Sequence, residues 1–177
     1  MKIDKKHIHI LIIIACIFAI LSGTFVLTMV QKFLLQMKDV RQRRIHLLCE
    51  TDYQALLDAC IELSKKVDKG ELTAGKWYII RRNPDAEMYG FPKVILDLAP
   101  SYIIIKSDGN VIMEMLGGFN HFGISVSPNV SEKPVFGDRE LIPGLWYYDD
   151  NYNEDPKYDQ KIDRLISKYM GILGVAD

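Results

Sequence analysis

Paired cysteines are missing from this sequence. Of its three cysteines, Cys16 lies inside an apolar run, while Cys49 and Cys60 flank or occupy a single predicted helix. Eleven helical residues separate two sites by about 16 Å, whereas a disulfide needs Cα atoms within about 7 Å. A bridge between Cys49 and Cys60 is not expected unless that helix starts later, there are no paired cysteines for zinc, and cysteine use does not define the compartment. Also lacking are a Gly-Lys-Ser/Thr phosphate loop, a dinucleotide-binding glycine fingerprint, a Gly-x-Ser-x-Gly elbow and a His-Glu-x-x-His pair. These absences remove the nucleotide-binding, serine-hydrolase and zinc-protease classes that such motifs serve. No fixed-period repeat or low-complexity tract occurs, so a solenoid or a disordered tail is not expected.

Net charge is small as well, −1 over 177 residues. It conceals an asymmetry: residues 1–48 carry +6 and the remainder −7. An acidic second part argues against nucleic acid as a partner, because phosphate neutralisation needs clustered cations. The basic first part suits anionic lipid headgroups.

What the sequence does have is one long apolar run, Ile8 to Val30, without a single Asp, Glu, Lys or Arg. As a helix it would extend roughly 34 Å, against a hydrocarbon core of about 30 Å. A cleaved signal peptide has an apolar stretch of only about 7–15 residues, so the run reads as an uncleaved single-pass anchor. Cations flank both ends in comparable numbers, which does not select an orientation for the remainder of the chain. Residues 31–50 hold no Gly or Pro and read as a basic helical stalk. The expected organisation is a charged flank (1–7), a transmembrane anchor (8–30), a juxtamembrane stalk (31–50) and a head domain (51–177).

The head reads as α+β: an antiparallel sheet of four to six strands flanked by two amphipathic helices. Thr51-Asp52-Tyr53-Gln54 fits a capping box ahead of a helix whose stripe includes Leu56, Cys60 and Ser64, with Gly70 as its stop. Asp155-Pro156 predicts the start of a second helix, with Tyr158, Ile162 and Leu165 on one face. Strands are expected at 77–80, 94–98, 102–106, 111–115, 119–127 and 145–148, and 128–138 as a loop. Asp108-Gly109 predicts a two-residue hairpin turn that would pair Lys106 with Val111, Ile104 with Met113 and Tyr102 with Met115.

Three constellations could carry chemistry. His121, in a glycine-flanked segment, has Glu114 and Asp97 as carboxylates able to orient an imidazole for acid–base work. Trp146, Tyr148 and Tyr152 beside an acidic run could form a patch for a cationic partner. Asp149, Asn151, Asn153 and Asp155 alternate as oxygen ligands do at the start of a calcium loop, but Glu154 replaces the turn-making glycine. No cofactor is expected. The sequence points to a membrane-anchored, non-enzymatic domain that binds the bilayer and a second membrane or membrane-proximal protein. A tethered hydrolase using His121, or a calcium or small-ligand sensor, is the alternative.

Overall fold

The computed structural model describes residues 5–81, 83, 85–116, 121–128, 133–152 and 157–172, with the side chains of 5–17, 19–21 and 170–172 left aside. The chain falls into two compact units, Met1–Arg41 and Gln42–Asp177. The first is helical, the greater part of a helix α1 that runs from Lys5 to Ile45. Gly23 is its one weak helix former, and no proline interrupts it. Phe18, Phe25, Leu27, Phe33 and Leu34 are all exposed. Thr28 donates its hydroxyl to the Thr24 carbonyl at 2.8 Å, the local back-bond open to a helical threonine. Among the described residues no helix is long and apolar enough to cross a membrane.

The second unit is an α+β fold around a six-stranded, wholly antiparallel sheet. Its strands are β1 (Trp77–Ile79), β2 (Tyr102–Ile105), β3 (Val111–Leu116), β4 (Phe122–Val126), β5 (Arg139–Ile142) and β6 (Leu145–Asp149), in the spatial order β1-β2-β3-β4-β6-β5. The unit opens with the end of α1 and a π-helical turn, His46–Glu50, which buries Leu47 and Leu48. Arg44, Leu47 and Leu48, read from the sequence as stalk, thus belong to the fold of this unit. Helix α2 (Tyr53–Asp68) sets Leu56, Ala59, Cys60 and Leu63 against one sheet face. That inner face carries Tyr78, Ile103, Met113, Ile124 and Tyr147 in one cross-strand row, and Ile105, Val111, Val126 and Leu145 in another. All nine are buried, and they form the core. Helix α4 (Tyr158–Ile172) packs on the π turn and buries Tyr158 and Ile162.

Several sequence expectations need correction. Residues 94–98 are not a strand but part of a short helix α3 (Lys93–Leu98). Pro92, with φ fixed near −56°, precedes its first turn, and Ile95 and Leu98 share one buried face. An apolar run this short fits helix and strand equally, and the proline decides. The cap of α2 is Asp52, whose carboxylate accepts from the Ala55 N–H at 3.0 Å, while Thr51 donates to the His46 carbonyl. The β2–β3 turn has three residues, not two. Lys106 N–H bonds to the Asn110 carbonyl at 2.8 Å, and Gly109, at φ 82°, takes the left-handed position that completes such a loop. Ile105 therefore faces Val111, Ile103 faces Met113 and Tyr102 faces Glu114. The shift of one residue changes which side chains share a face. Strand β5, expected as part of no element, pairs with β6 and makes β6 an interior strand. The expected helix start at Asp155-Pro156 and the first residues of the 119–127 strand lie outside the described residues.

Candidate functional site

The outer sheet face holds a cleft of about 430 Å³. Antiparallel pairing aligns Ile79, Tyr102, Glu114, Gly123 and Tyr148 in one cross-strand row, with Trp77, Ile104, Ile112, Ser125 and Trp146 in the next. Trp77, Tyr102, Phe136 and Tyr148 wall the cleft, Ile104 and Ile112 add apolar surface, and Lys106, His121 and Asp150 also border it. Trp77 and Tyr102 lean together with ring centroids 4.4 Å apart, and Phe136 lies 5.8 Å from the Tyr148 ring.

Glu114 is the buried carboxylate of this cleft, only 3% exposed, whereas Asp150 is exposed at its border. Its Oε2 accepts a hydrogen bond of 3.0 Å from the Tyr148 hydroxyl. Among the described residues its Oε1 is buried without a close hydrogen-bond partner, and His121 Nδ1 stands 3.5 Å away. Burial pushes the Glu114 carboxyl above its ordinary range, and the Tyr148 hydroxyl, the His121 imidazole and the Leu116 backbone N–H only partly offset it. Tyr148 is raised by its own burial and then by the neighbouring Glu114 carboxylate, so its hydroxyl stays a donor. Burial, and after it the same carboxylate, raises Tyr102.

Gly123 makes this arrangement sterically feasible. A Cβ at that position would stand 2.0 Å from the Met113 carbonyl oxygen and 2.6 Å from the Tyr148 hydroxyl. The Tyr148 ring occupies the space that a side chain would fill, and from there it reaches Glu114.

The structure brings His121, Glu114 and Tyr148 together and leaves the other candidates elsewhere. Asp97 is exposed on α3 and borders a separate hollow with His46 and Glu50. Trp146 shares the outer face but packs near Gly137, with Lys133 Nζ 5.7 Å from its ring. Tyr152 turns away to stack on Tyr158 and Tyr147, donating to Asp159 at 2.8 Å. Asp149 is spent inside the fold. Its Oδ2 accepts from Tyr147 and Tyr158, each at 2.6 Å, and meets Arg44 Nη2 at 2.7 Å, while Oδ1 accepts from the Asn151 side chain at 2.6 Å. Asn153 and Asp155 lie outside the described residues, and among those described no group of His, Cys, Asp or Glu gathers for a metal.

Sequence reasoning missed Trp77, Tyr102, Lys106, Phe136 and Asp150. Strand alternation would have aligned Tyr102 with Glu114 had the turn been given three residues. Phe136 lies between strands, where no periodicity marks it. No family model, curated protein or solved structure matches this chain.

Proposed function

We propose that the chain is a single-pass membrane-anchored binding domain, without catalysis, whose α+β unit receives a ligand or a partner protein's side chain in the outer-face cleft. The observation that carries this reading is Glu114 Oε1, a buried acceptor in an aromatic-walled cleft with no donor closer than His121 Nδ1 at 3.5 Å among the described residues. An unmet buried acceptor costs about 1–3 kcal/mol, a cost an incoming donor removes. The volume lies within the range of small-ligand clefts, about 300–1,000 Å³. The anchor is supported by the uncharged run Ile8–Val30, contained in one uninterrupted helix whose described side chains expose Phe18, Phe25, Leu27 and Met29. Lipid is the environment in which such a surface is stable.

Two measurements test this. After alkaline carbonate washing, the full chain stays in the membrane fraction; its release would overturn the anchor. In full-chain protein in nanodiscs, some members of a chemically mixed fragment set shift the methyl resonances of Ile104 and Ile112. A set that shifts neither methyl would overturn the cleft as a binding site.

A second reading has one observation in its favour, the 3.5 Å approach of His121 Nδ1 to Glu114. It would make His121 a general base for hydrolysis. Among the described residues no Ser, Cys or Thr lines the cleft, and this reading takes water as the nucleophile. Hydrolysis of simple esters that falls to background in H121A would favour this reading, and equal rates in both proteins favour the non-enzymatic one.

A further inference from the structure

Resting on the cleft as the binding site, we infer that it selects a protonated primary or secondary amine with an apolar body, whose N–H donates to Glu114 Oε1. Three features of the cleft converge on this class. The floor offers an acceptor that lacks a close donor among the described residues, and a carboxylate in a desolvated site favours a charged donor over a neutral one. The walls are the aromatic side chains of Trp77, Tyr102, Phe136 and Tyr148, a ring type that attracts cations and packs on hydrocarbon. A quaternary ammonium would satisfy the walls but has no N–H for Oε1, so an N–H-bearing amine fits better.

The groups facing Glu114 agree with this. The Tyr148 hydroxyl already donates to the other carboxylate oxygen, leaving Oε1 as the open position. Asp150 is exposed at the cleft border and adds negative charge. Lys106 is the one cation of fixed charge in the lining, and its Nζ lies 5.9 Å from the Phe136 ring centroid. His121 Nδ1, at 3.5 Å, is beyond the range of a good hydrogen bond. An anion would meet two carboxylates, Glu114 and Asp150, and is disfavoured.

The test compares three probes of one shape on the full chain in nanodiscs, read at the Ile104 and Ile112 methyls: phenethylamine, 2-phenylethanol and phenylacetate. Phenethylamine should bind at least ten times more tightly than the alcohol, and phenylacetate most weakly. In E114Q the amine should lose its tenfold advantage over the alcohol. In wild-type protein the affinity for the amine should rise between pH 5 and pH 8, because the Glu114 carboxyl, held above its ordinary range by burial, must ionise to pair with it, while the alcohol stays level. The pH series needs no variant and stands even if E114Q fails to fold. Alcohol or carboxylate binding as tight as the amine, or a pH-independent amine affinity, would overturn the selectivity while leaving the cleft a binding site. Failure of all three probes to shift either methyl would overturn the inference and count against the cleft itself.

Discussion

At the scale of single residues, Glu114 and Cys60 show how differently burial acts on two ionisable groups. Glu114 was legible in the sequence as a partner of His121, but its burial was not, because that depends on where Tyr102 and Tyr148 fall once register is set. Its native carboxyl holds a proton more tightly than in the unfolded chain. The folded state therefore binds more protons than the unfolded one as pH rises from the ordinary carboxylate range to the raised native value. Stability contributed by this group falls across that window and is level above it. E114Q, neutral at every pH, should melt a few degrees above wild type at pH 7–8 and within one degree of it below about pH 4, a comparison that calorimetry at both pH values makes. Cys60 is the small buried hydrophobe that its place on the apolar stripe of α2 implies. It is wholly enclosed, and burial pushes its thiol up to about 12. In a C16S/C49S background it should react with maleimide at least about 100-fold more slowly in native protein than in urea, since the thiolate is the reactive form.

Among the elements, the sequence identified those with long period or capping chemistry and misjudged those decided by one local detail. Helix α2 and the β2–β3 hairpin follow from spacing and from Asp108-Gly109. The residues 94–98 form a helix because Pro92 sets its entry, and β5 went unseen because Arg139–Ile142 lacks alternation. The junction of α1, the π turn and β6 was invisible for a different reason. Arg44 reads as one more cation on a basic helix until the fold sets it 2.7 Å from Asp149 and 5.0 Å from the Phe122 ring centroid. Tyr147 and Tyr158 donate to the same carboxylate oxygen. Removing one member of such a buried pair costs about 3–5 kcal/mol, because the other is left charged and unpaired. D149A should lose roughly that amount in urea denaturation, and R44M/D149L should recover most of it. If D149A costs under about 1 kcal/mol, the range of an exposed pair, the contact is not a structural element.

For the whole molecule, the α+β class, the antiparallel sheet and the apolar N-terminal run were all legible, since hydrophobic periodicity encodes them directly. The cleft was only half legible. Its floor and three of its wall residues lie on strands that the sequence marks, but their convergence needs five strands in register and a loop residue, Phe136, laid beside Tyr148. The start of the second unit at Gln42 has a direct consequence. A fragment of residues 42–177 should be monomeric and unfold cooperatively in urea, with Trp77 and Trp146 fluorescence and circular dichroism changing together. A fragment of residues 51–177, without Arg44, Leu47 and Leu48, should lose that cooperativity. Equal behaviour of the two fragments would show that the π turn and its approach are dispensable.

The close fit at Gly123 also constrains how this protein can change. Its missing side chain is filled by the Tyr148 ring on one neighbouring strand and bounded by the Met113 carbonyl on the other. Any replacement must push β3 aside at the residue adjoining Glu114, so one substitution disturbs the floor and the wall together. The cleft cannot be altered gradually through this position. Descendants of the chain would retain Glu114, Gly123 and Tyr148 as a set or lose all three, and that linked triplet is a fingerprint by which distant kin could be recognised.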